Sequence, residues 1–227
     1  MDEDRSIWVV IPAFNEAEVI CSVVAGVRER FSNIVVVDDC SSDETSDCAM
    51  AGGATVLRHP INLGQGAALQ TGLRFALAHG ATLVVTFDAD GQHRVEDIDV
   101  LIRRQTETGA DLVVGSRFLG SATNIPTLRR AVLKMAVGFT TVTTGVRLTD
   151  AHNGLRLFTR RAAKLLRIRQ NRMAHASEII SQAGALKLSV AEAPVTIVYT
   201  EYSLRKGQKL SNAVNILAEL LVERLSR

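Results

Sequence analysis

The sequence predicts an α/β fold with a largely parallel sheet, on three observations. Short β-branched runs alternate with longer amphipathic segments through the first two thirds of the 227 residues. Apolar residues make up 47% of the chain and charged ones 22%, which supplies a real core and argues against general disorder. No stretch reaches the ~18 consecutive apolar residues of a bilayer span. The longest candidate, Ala131 to Val146, contains Lys134 and several threonines.

In chain order, a strand over Ile7–Ile11 stops at Pro12, and Asn15 followed by Glu18 forms a capping-box-like start to a helix over Glu16–Arg30. A strand over Ile34–Asp38 leads through Ser41 and Glu44, again a cap-like pair, into a helix over Asp43–Ala51. After a short strand at Thr55–Leu57, Gly64 and Gly66 permit a turn into a helix over Gln65–Ala78 whose small residues pack closely on the sheet. This glycine pair is not a dinucleotide fingerprint, because Leu69 holds the third glycine position and the segment does not follow the first strand. Next come a strand at Leu83–Phe87, a helix at Glu96–Thr106, a strand at Leu112–Gly115 and a helix at Arg129–Thr144. Beyond Asp150 the alternation loosens. A strand at Leu155–Phe158, a helix at Ser177–Ala183, a strand at Val195–Tyr199, a basic loop and a last helix at Ser211–Leu225 read as an attachment to the α/β body. No repeat or low-complexity linker divides the chain, so residues 1–227 are expected to form one domain.

Cys21, Cys40 and Cys48 have no metal-ligand spacing and cannot all pair, which favours a reducing compartment. The acidic N-terminus lacks the regions of a secretory signal, so a cytoplasmic location is expected. The net charge of +2 hides an asymmetry: residues 1–50 carry eleven carboxylates against three bases, and residues 151–227 carry thirteen bases against five acids. A solvated surface explains such a split as readily as a ligand does. Few aromatics and a near-neutral total argue against nucleic-acid binding.

Three clusters sit where an open α/β sheet binds ligands, at strand carboxyl ends. Pro12-Ala13-Phe14-Asn15-Glu16 follows the first strand, and helix capping alone would account for much of it. Asp38 and Asp39 end the second strand, where adjacent carboxylates repel unless a ligand or donor absorbs them. Asp39 can accept from a nucleobase or ribose hydroxyl. The most informative cluster is Phe87-Asp88-Ala89-Asp90-Gly91-Gln92-His93, a strand running into Asp-x-Asp. Mg²⁺ typically takes one or two such carboxylates and completes its octahedron with phosphate and water, which suits a metal arriving with a nucleoside diphosphate. An EF-hand fails because His93 stands at loop position six, where glycine is needed. A phosphatase of the haloacid dehalogenase type also uses a strand plus Asp-x-Asp, and a turn rich in Asp and Gly is the purely structural alternative.

These pieces together resemble family 2 of the inverting glycosyltransferases, which have the GT-A fold, and within it the dolichyl- or polyprenyl-phosphate sugar synthases. The likeness also rests on Asn62 with Gly64, Gly66 and Gly72, Gly115-Ser116-Arg117, Asp150 with Gly154-Leu155-Arg156, and Arg205 with Gly207 and Lys209. It implies a mixed, mostly parallel sheet flanked by helices, with residues 1–120 binding the nucleotide sugar and residues 121–227 the acceptor. Pro12, Ala13, Phe14, Asn15, Glu16, Asp38, Asp39, Asp88 and Ala89 are then expected at the nucleotide sugar. Asp88, Asp90 and Gln92 are expected at Mg²⁺ or Mn²⁺, and Arg130, Arg205 and Lys209 at acceptor or phosphate. Asp90, Arg117 and Asp150 are the expected catalytic residues, with Asp150 serving as base if the acceptor is a sugar hydroxyl. A polyprenyl phosphate acceptor needs no base, because its oxygen is already ionised. Gly207-Gln208-Lys209 departs from the family's Gly-x-Ser-Lys, and the Gln-x-x-Arg-Trp signature of processive synthases is missing. The last helix has one apolar face, for packing on the body or for meeting the membrane surface or a small membrane-protein partner. The expected activity is metal-dependent sugar transfer with inversion, most simply to a lipid phosphate on the inner membrane face. The alternatives are transfer to a sugar hydroxyl in surface-polysaccharide assembly, a non-catalytic nucleotide-sugar-binding subunit, and the phosphatase above.

Overall fold

A computed structural model describes residues 6–123, 148–171, 174–200 and 202. Seven strands form one sheet in the order β3-β2-β1-β4-β6-β5-β7. They are β1 (Ile7–Ala13), β2 (Asn33–Asp38), β3 (Thr55–Arg58), β4 (Leu83–Thr86), β5 (Leu112–Thr123), β6 (Arg156–Thr159) and β7 (Val190–Val198). β1 to β4 are mutually parallel, β6 runs antiparallel to both β4 and β5, and β7 returns parallel to β5. The sheet is therefore mixed and mostly parallel, as the resemblance implies.

The strand sequences are nearly all apolar because both faces are covered. Alternate residues divide between two cores: Val9, Ile11, Val36 and Val85 pack under α1 (Ile20–Arg28) and α4 (Glu96–Thr108). Trp8, Val10, Val35 and Val84 face the side covered by α3 (Gln65–Ala78), α5 (Arg160–Leu165) and α6 (His175–Ala185). α2 (Thr45–Ala51) packs beside α1. β1 has β2 on one side and β4 on the other. That reversal opens a crevice beyond their carboxyl ends, where ligands bind in this architecture.

The glycines preceding and within α3 do the packing expected of them. A Cβ on Gly72 would lie 2.2 Å from Val10 Cγ1, and one on Gly66 would lie 2.0 Å from the Gln170 carbonyl oxygen. The segment at 170–171 thus sits directly on the helix start.

Several elements differ from expectation. β1 does not stop at Pro12 but continues to Ala13, paired with Val37 and Asp38 of β2. β5 runs twelve residues, because beyond a register shift between Ser116 and Ser121 it pairs with β7 again. β7 begins at Val190, where Ala191-Glu192-Ala193 carry no strand propensity of their own and are held by pairing with β5. α5 is a helix the periodicity did not predict, capped by the Thr159 hydroxyl accepting from Ala162 N–H at 3.2 Å. The expected helices at Arg129–Thr144 and Ser211–Leu225 lie outside the described residues.

Gly72→Ala should cost about 1–3 kcal/mol in urea unfolding through overpacking against Val10. Combining it with Val10→Ala should recover part of that loss, a coupling that a double-mutant cycle reads directly.

Candidate active site

The crevice is built where β1 and β4 end side by side, tied by Phe87 N–H donating to the Val10 carbonyl at 3.0 Å. The segment after β1 does not begin α1 as a capped helix. Residues 17–19 form turns, α1 starts at Ile20, and its N-cap Val19 makes no side-chain cap bond. Asn15 instead takes a left-handed φ of 54° and its Oδ1 accepts from Ser42 N–H at 2.8 Å. Ser41 Oγ receives Asn15 N–H at 2.9 Å, and Thr45 Oγ1 receives Glu16 N–H at 2.7 Å. The cap-like residues of both segments thus fasten the two loops to each other. Pro12 and Ala13 are buried beneath them, and Phe14 is exposed at the mouth.

The neighbouring Asp38 and Asp39 are both satisfied internally. Asp38 is wholly buried and accepts from Ser41 N–H and from the hydroxyls of Ser41 and Ser46. These bonds hold the Asp38 carboxylate beneath the loop. Asp39 accepts from His59 Nδ1 at 2.8 Å, Leu63 N–H at 2.9 Å and Gly64 N–H at 2.6 Å, which folds the 59–64 loop over the crevice. Asp43 lies on the same edge. Its burial is too slight to raise its pKa on balance, because Thr45 and the Ala17 N–H hold the carboxyl below its ordinary value.

Asp88 and Asp90 project from the end of β4, with Ala89 buried between them. Gln65 Nε2 donates to Asp88 Oδ1 at 3.2 Å and His93 Nε2 to Oδ2 at 3.0 Å. Burial pushes the Asp88 carboxyl up, but the His93 hydrogen bond and the charges of His93, His175 and Arg156 outweigh it and hold the pKa below normal. Gly154 lies so close that a Cβ there would sit 2.1 Å from Asp88 Oδ2. Asp90 differs: burial and the adjacent Asp88 charge raise it to about 6, against weaker help from His93 and the Gln92 N–H.

A charged Asp88 beside an Asp90 whose ionisation is opposed by burial and by that charge fits a divalent cation, with phosphate and water completing its shell. Among the described residues no cluster of three His, Cys, Asp or Glu side chains could hold an ion without such help. Gln92, expected as a third ligand, turns its Nε2 onto Asp90 Oδ2 at 2.7 Å and here orients that carboxylate.

Arg117 and Asp150 come together beside this crevice. Arg117 donates to Asp150 Oδ2 from Nε at 2.6 Å and from its backbone N–H at 3.2 Å, and its Nη1 donates to Tyr199 Oη at 2.8 Å. Burial alone would lower the guanidinium pKa, yet Asp150 and Tyr199 raise it on balance. Asp150 is wholly buried. As placed, it is the counter-ion of Arg117 and not an open base. Arg156 lies between β4 and β5, buried, with Nη2 donating to the Ala151 carbonyl at 2.9 Å. Burial brings its pKa to about 10, opposed by the charges of Asp88 and Asp150.

Arg130, Arg205 and Lys209 lie outside the described residues. Tyr202, just ahead of Arg205, donates its hydroxyl to Glu16 Oε2 at 2.6 Å. Sequence reasoning missed Gln65, His93 and Tyr199 as supports of the site. His93 directly follows Gln92 and was visible on proximity, whereas Gln65 and Tyr199 carry no local signal.

The model of the family described as Glycosyl transferase family 2 matches residues 8–166. The UDP-N-acetylglucosamine–dolichyl-phosphate N-acetylglucosaminyltransferase of Methanococcus voltae is 32% identical over 247 residues, covering 99% of this chain and 98% of that protein. The undecaprenyl-phosphate mannosyltransferase of Micrococcus luteus is 31% identical over 204 residues, covering 85% and 83% respectively. The crystal structure of glucosyl-3-phosphoglycerate synthase from Mycobacterium tuberculosis, in complex with Mn²⁺ and UDP-glucose, superposes with a TM-score of 0.75 at 20% identity, covering 98% of this chain and 78% of that one. The fold is thereby GT-A. No described helix is long and apolar enough to cross a membrane.

Two outcomes are expected of this geometry. Gly154→Ala must displace Asp88, so any Mn²⁺ binding at Asp88 and Asp90 should weaken at least tenfold in calorimetry while far-ultraviolet circular dichroism stays unchanged. His152 is held down to about 4 by burial and by the Arg156 and Arg117 charges, against the pull of Asp150. Its neutral ring therefore contributes stability in full above about pH 6.5, and that contribution is lost as pH falls towards 4. Because Asp90 titrates with the opposite sign over the same range, the readout is a difference: urea unfolding of wild type relative to His152→Gln should lose about 3 kcal/mol across that window.

Proposed function

The chain belongs to glycosyl transferase family 2, and from that premise we propose that it moves a sugar from a nucleoside-diphosphate sugar to a polyprenyl phosphate, with inversion and with Mg²⁺ or Mn²⁺. One observation carries the choice of acceptor. Asp150, the residue best placed in sequence to serve as a base, is wholly buried, with its Oδ2 held by Arg117. A sugar hydroxyl must lose a proton to react, whereas a lipid phosphate arrives ionised. A site that offers a held guanidinium in place of a free base suits the phosphate. The names of the Methanococcus voltae and Micrococcus luteus relatives point the same way.

On the donor side, Pro12 to Glu16 and Asp39 frame the nucleoside, with Phe14 at the mouth. Asp88 and Asp90 hold the cation, which when bound offsets charge on the departing diphosphate. His93 and Gln65 hold Asp88 ready for it, and Gln92 does the same for Asp90. On the acceptor side, Arg117 has Nε and Nη1 committed, which leaves Nη2 as the nitrogen to meet the incoming phosphate. Such a fixed donor strengthens as charge shifts in the transition state without having to reorganise. Arg130, Arg205 and Lys209 belong to the same anion-binding side of the proposal. A lipid acceptor places the work at the inner face of the membrane, with the chain attached peripherally.

The test is a thermal-shift panel of UDP, GDP, CDP and dTDP with and without Mn²⁺ or Mg²⁺, followed by transfer assays to polyprenyl phosphate. At a hundredfold excess over Kd the matching nucleotide should stabilise the protein by about 2.7 kcal/mol, only with metal. Asp90→Asn should abolish that shift. Arg117→Ala should slow transfer on the order of a hundredfold while leaving nucleotide binding intact. Glycosylation of a sugar hydroxyl in preference to polyprenyl phosphate would overturn the acceptor assignment.

A further inference from the structure

We infer that Glu192 is a positioning residue for Arg117: from β7 it clamps the Thr149–Asp150 backbone, and through Asp150 it sets the direction of the guanidinium. The inference rests on the reading above, in which Arg117 meets the acceptor phosphate.

Glu192 Oε1 accepts from Thr149 N–H at 2.8 Å, from Thr149 Oγ1 at 2.8 Å and from Asp150 N–H at 3.1 Å, and Oε2 accepts from Thr149 N–H at 2.9 Å. Residues 149 and 150 lie outside any strand, so these are side-chain bonds standing in for a ladder. Both clamped residues then grip the corner of β5 that carries Arg117. Thr149 Oγ1 is 2.6 Å from Ser116 Oγ, which itself accepts from Phe118 N–H and Leu119 N–H at 3.2 Å each. Asp150 Oδ2 takes both the backbone N–H and Nε of Arg117.

The corner needs this support because the β5–β7 ladder is interrupted between Ser116 and Ser121. Glu192 is itself well anchored. It pairs opposite Val114, and its carbonyl accepts from Arg104 Nε of α4 at 3.0 Å. Tyr199, just past the end of the same strand, fixes Nη1. β7 therefore governs the aim of Arg117 from two points, and neither touches the reacting atoms. A displacement of about 1 Å in a positioned group can cost a hundredfold in rate, which sets the scale available to such a clamp.

The test compares the full chain with Glu192→Ala and Glu192→Gln. Glutamine keeps Oε1, the atom that receives three of the four contacts, whereas alanine removes them all. In Glu192→Ala the KM for polyprenyl phosphate should rise about tenfold, with the donor KM and the Kd for the nucleotide–Mn²⁺ complex within twofold of wild type. Glu192→Gln should return the acceptor KM to within threefold. Independently of turnover, the ¹⁵N–¹H signal of Arg117 Nε should exchange slowly in wild type and Glu192→Gln and rapidly in Glu192→Ala. If Glu192→Ala does not fold, Thr149→Val, which removes the hydroxyl shared by Glu192 and Ser116, should shift both readouts in the same direction. A protected Nε–H in Glu192→Ala, or equal changes in donor and acceptor KM, would overturn the inference. A wild-type chain that ignores polyprenyl phosphate would overturn the acceptor assignment instead, and the Nε–H signal would still decide whether Glu192 positions Arg117.

Discussion

Carboxylates crowd the carboxyl edge of this sheet, and much of the local structure is an answer to that crowding. Asp38, Asp39, Asp88 and Asp150 each draw a hydroxyl, an N–H, an imidazole or a guanidinium from another segment. Those donors come from the start of α2, the start of α3, the turn after β4 and the corner of β5, so satisfying the acids also ties these elements together. Asp90 is the exception. Its hydrogen bonds come from Gln92, two residues away, and its pKa stays near 6. The unrelieved negative charge of the edge is thereby concentrated at one carboxylate facing the crevice, where a divalent ion has the most to gain.

The same economy leaves unmet groups deeper down. Asp150 Oδ1, His152 Nδ1 and Arg156 Nε are buried with no hydrogen-bond partner among the described residues. Each such group costs stability on the order of 1–3 kcal/mol unless water reaches it. These three fall within seven residues of one another and beside Arg117, whereas Trp8 Nε1 on β1, Gln70 Nε2 on α3 and His93 Nδ1 are unmet singly. The densest group of such costs lies around the charged pair, as is common where a site must hold charges in fixed positions.

How much of this was legible follows from how local each cause is. The first four strands and α3 could be read almost to the residue, because continuous apolar runs and a glycine pair are properties of short windows. The Asp-x-Asp at 88–90 was equally plain, since a strand that ends in two carboxylates has few uses. Asn15 and Ser41 looked like helix caps and instead lace two loops together, because the residue types that cap a helix are those that bind any stray N–H. The extension of β5, the early start of β7 and the roles of Glu192 and Tyr199 were beyond reach. Each depends on a partner some forty to eighty residues away, for which no short window carries a signature.

The long sequence separation of the Arg117 clasp has a consequence for the nascent chain. β1 to β4, Asp39, Asp88, Asp90 and His93 are all synthesised by residue 93, whereas Arg156, Glu192 and Tyr199 emerge much later. At translation rates of about 5–20 residues per second, the acidic edge waits roughly 5 to 20 s for the last of those groups. Until Arg156–Thr159 is made, β4 also lacks its antiparallel neighbour β6 and presents an open edge. A chain that pairs β1 to β4 at that stage would carry surplus negative charge at the rim of a parallel half-sheet, and like charge of this kind opposes association with other chains.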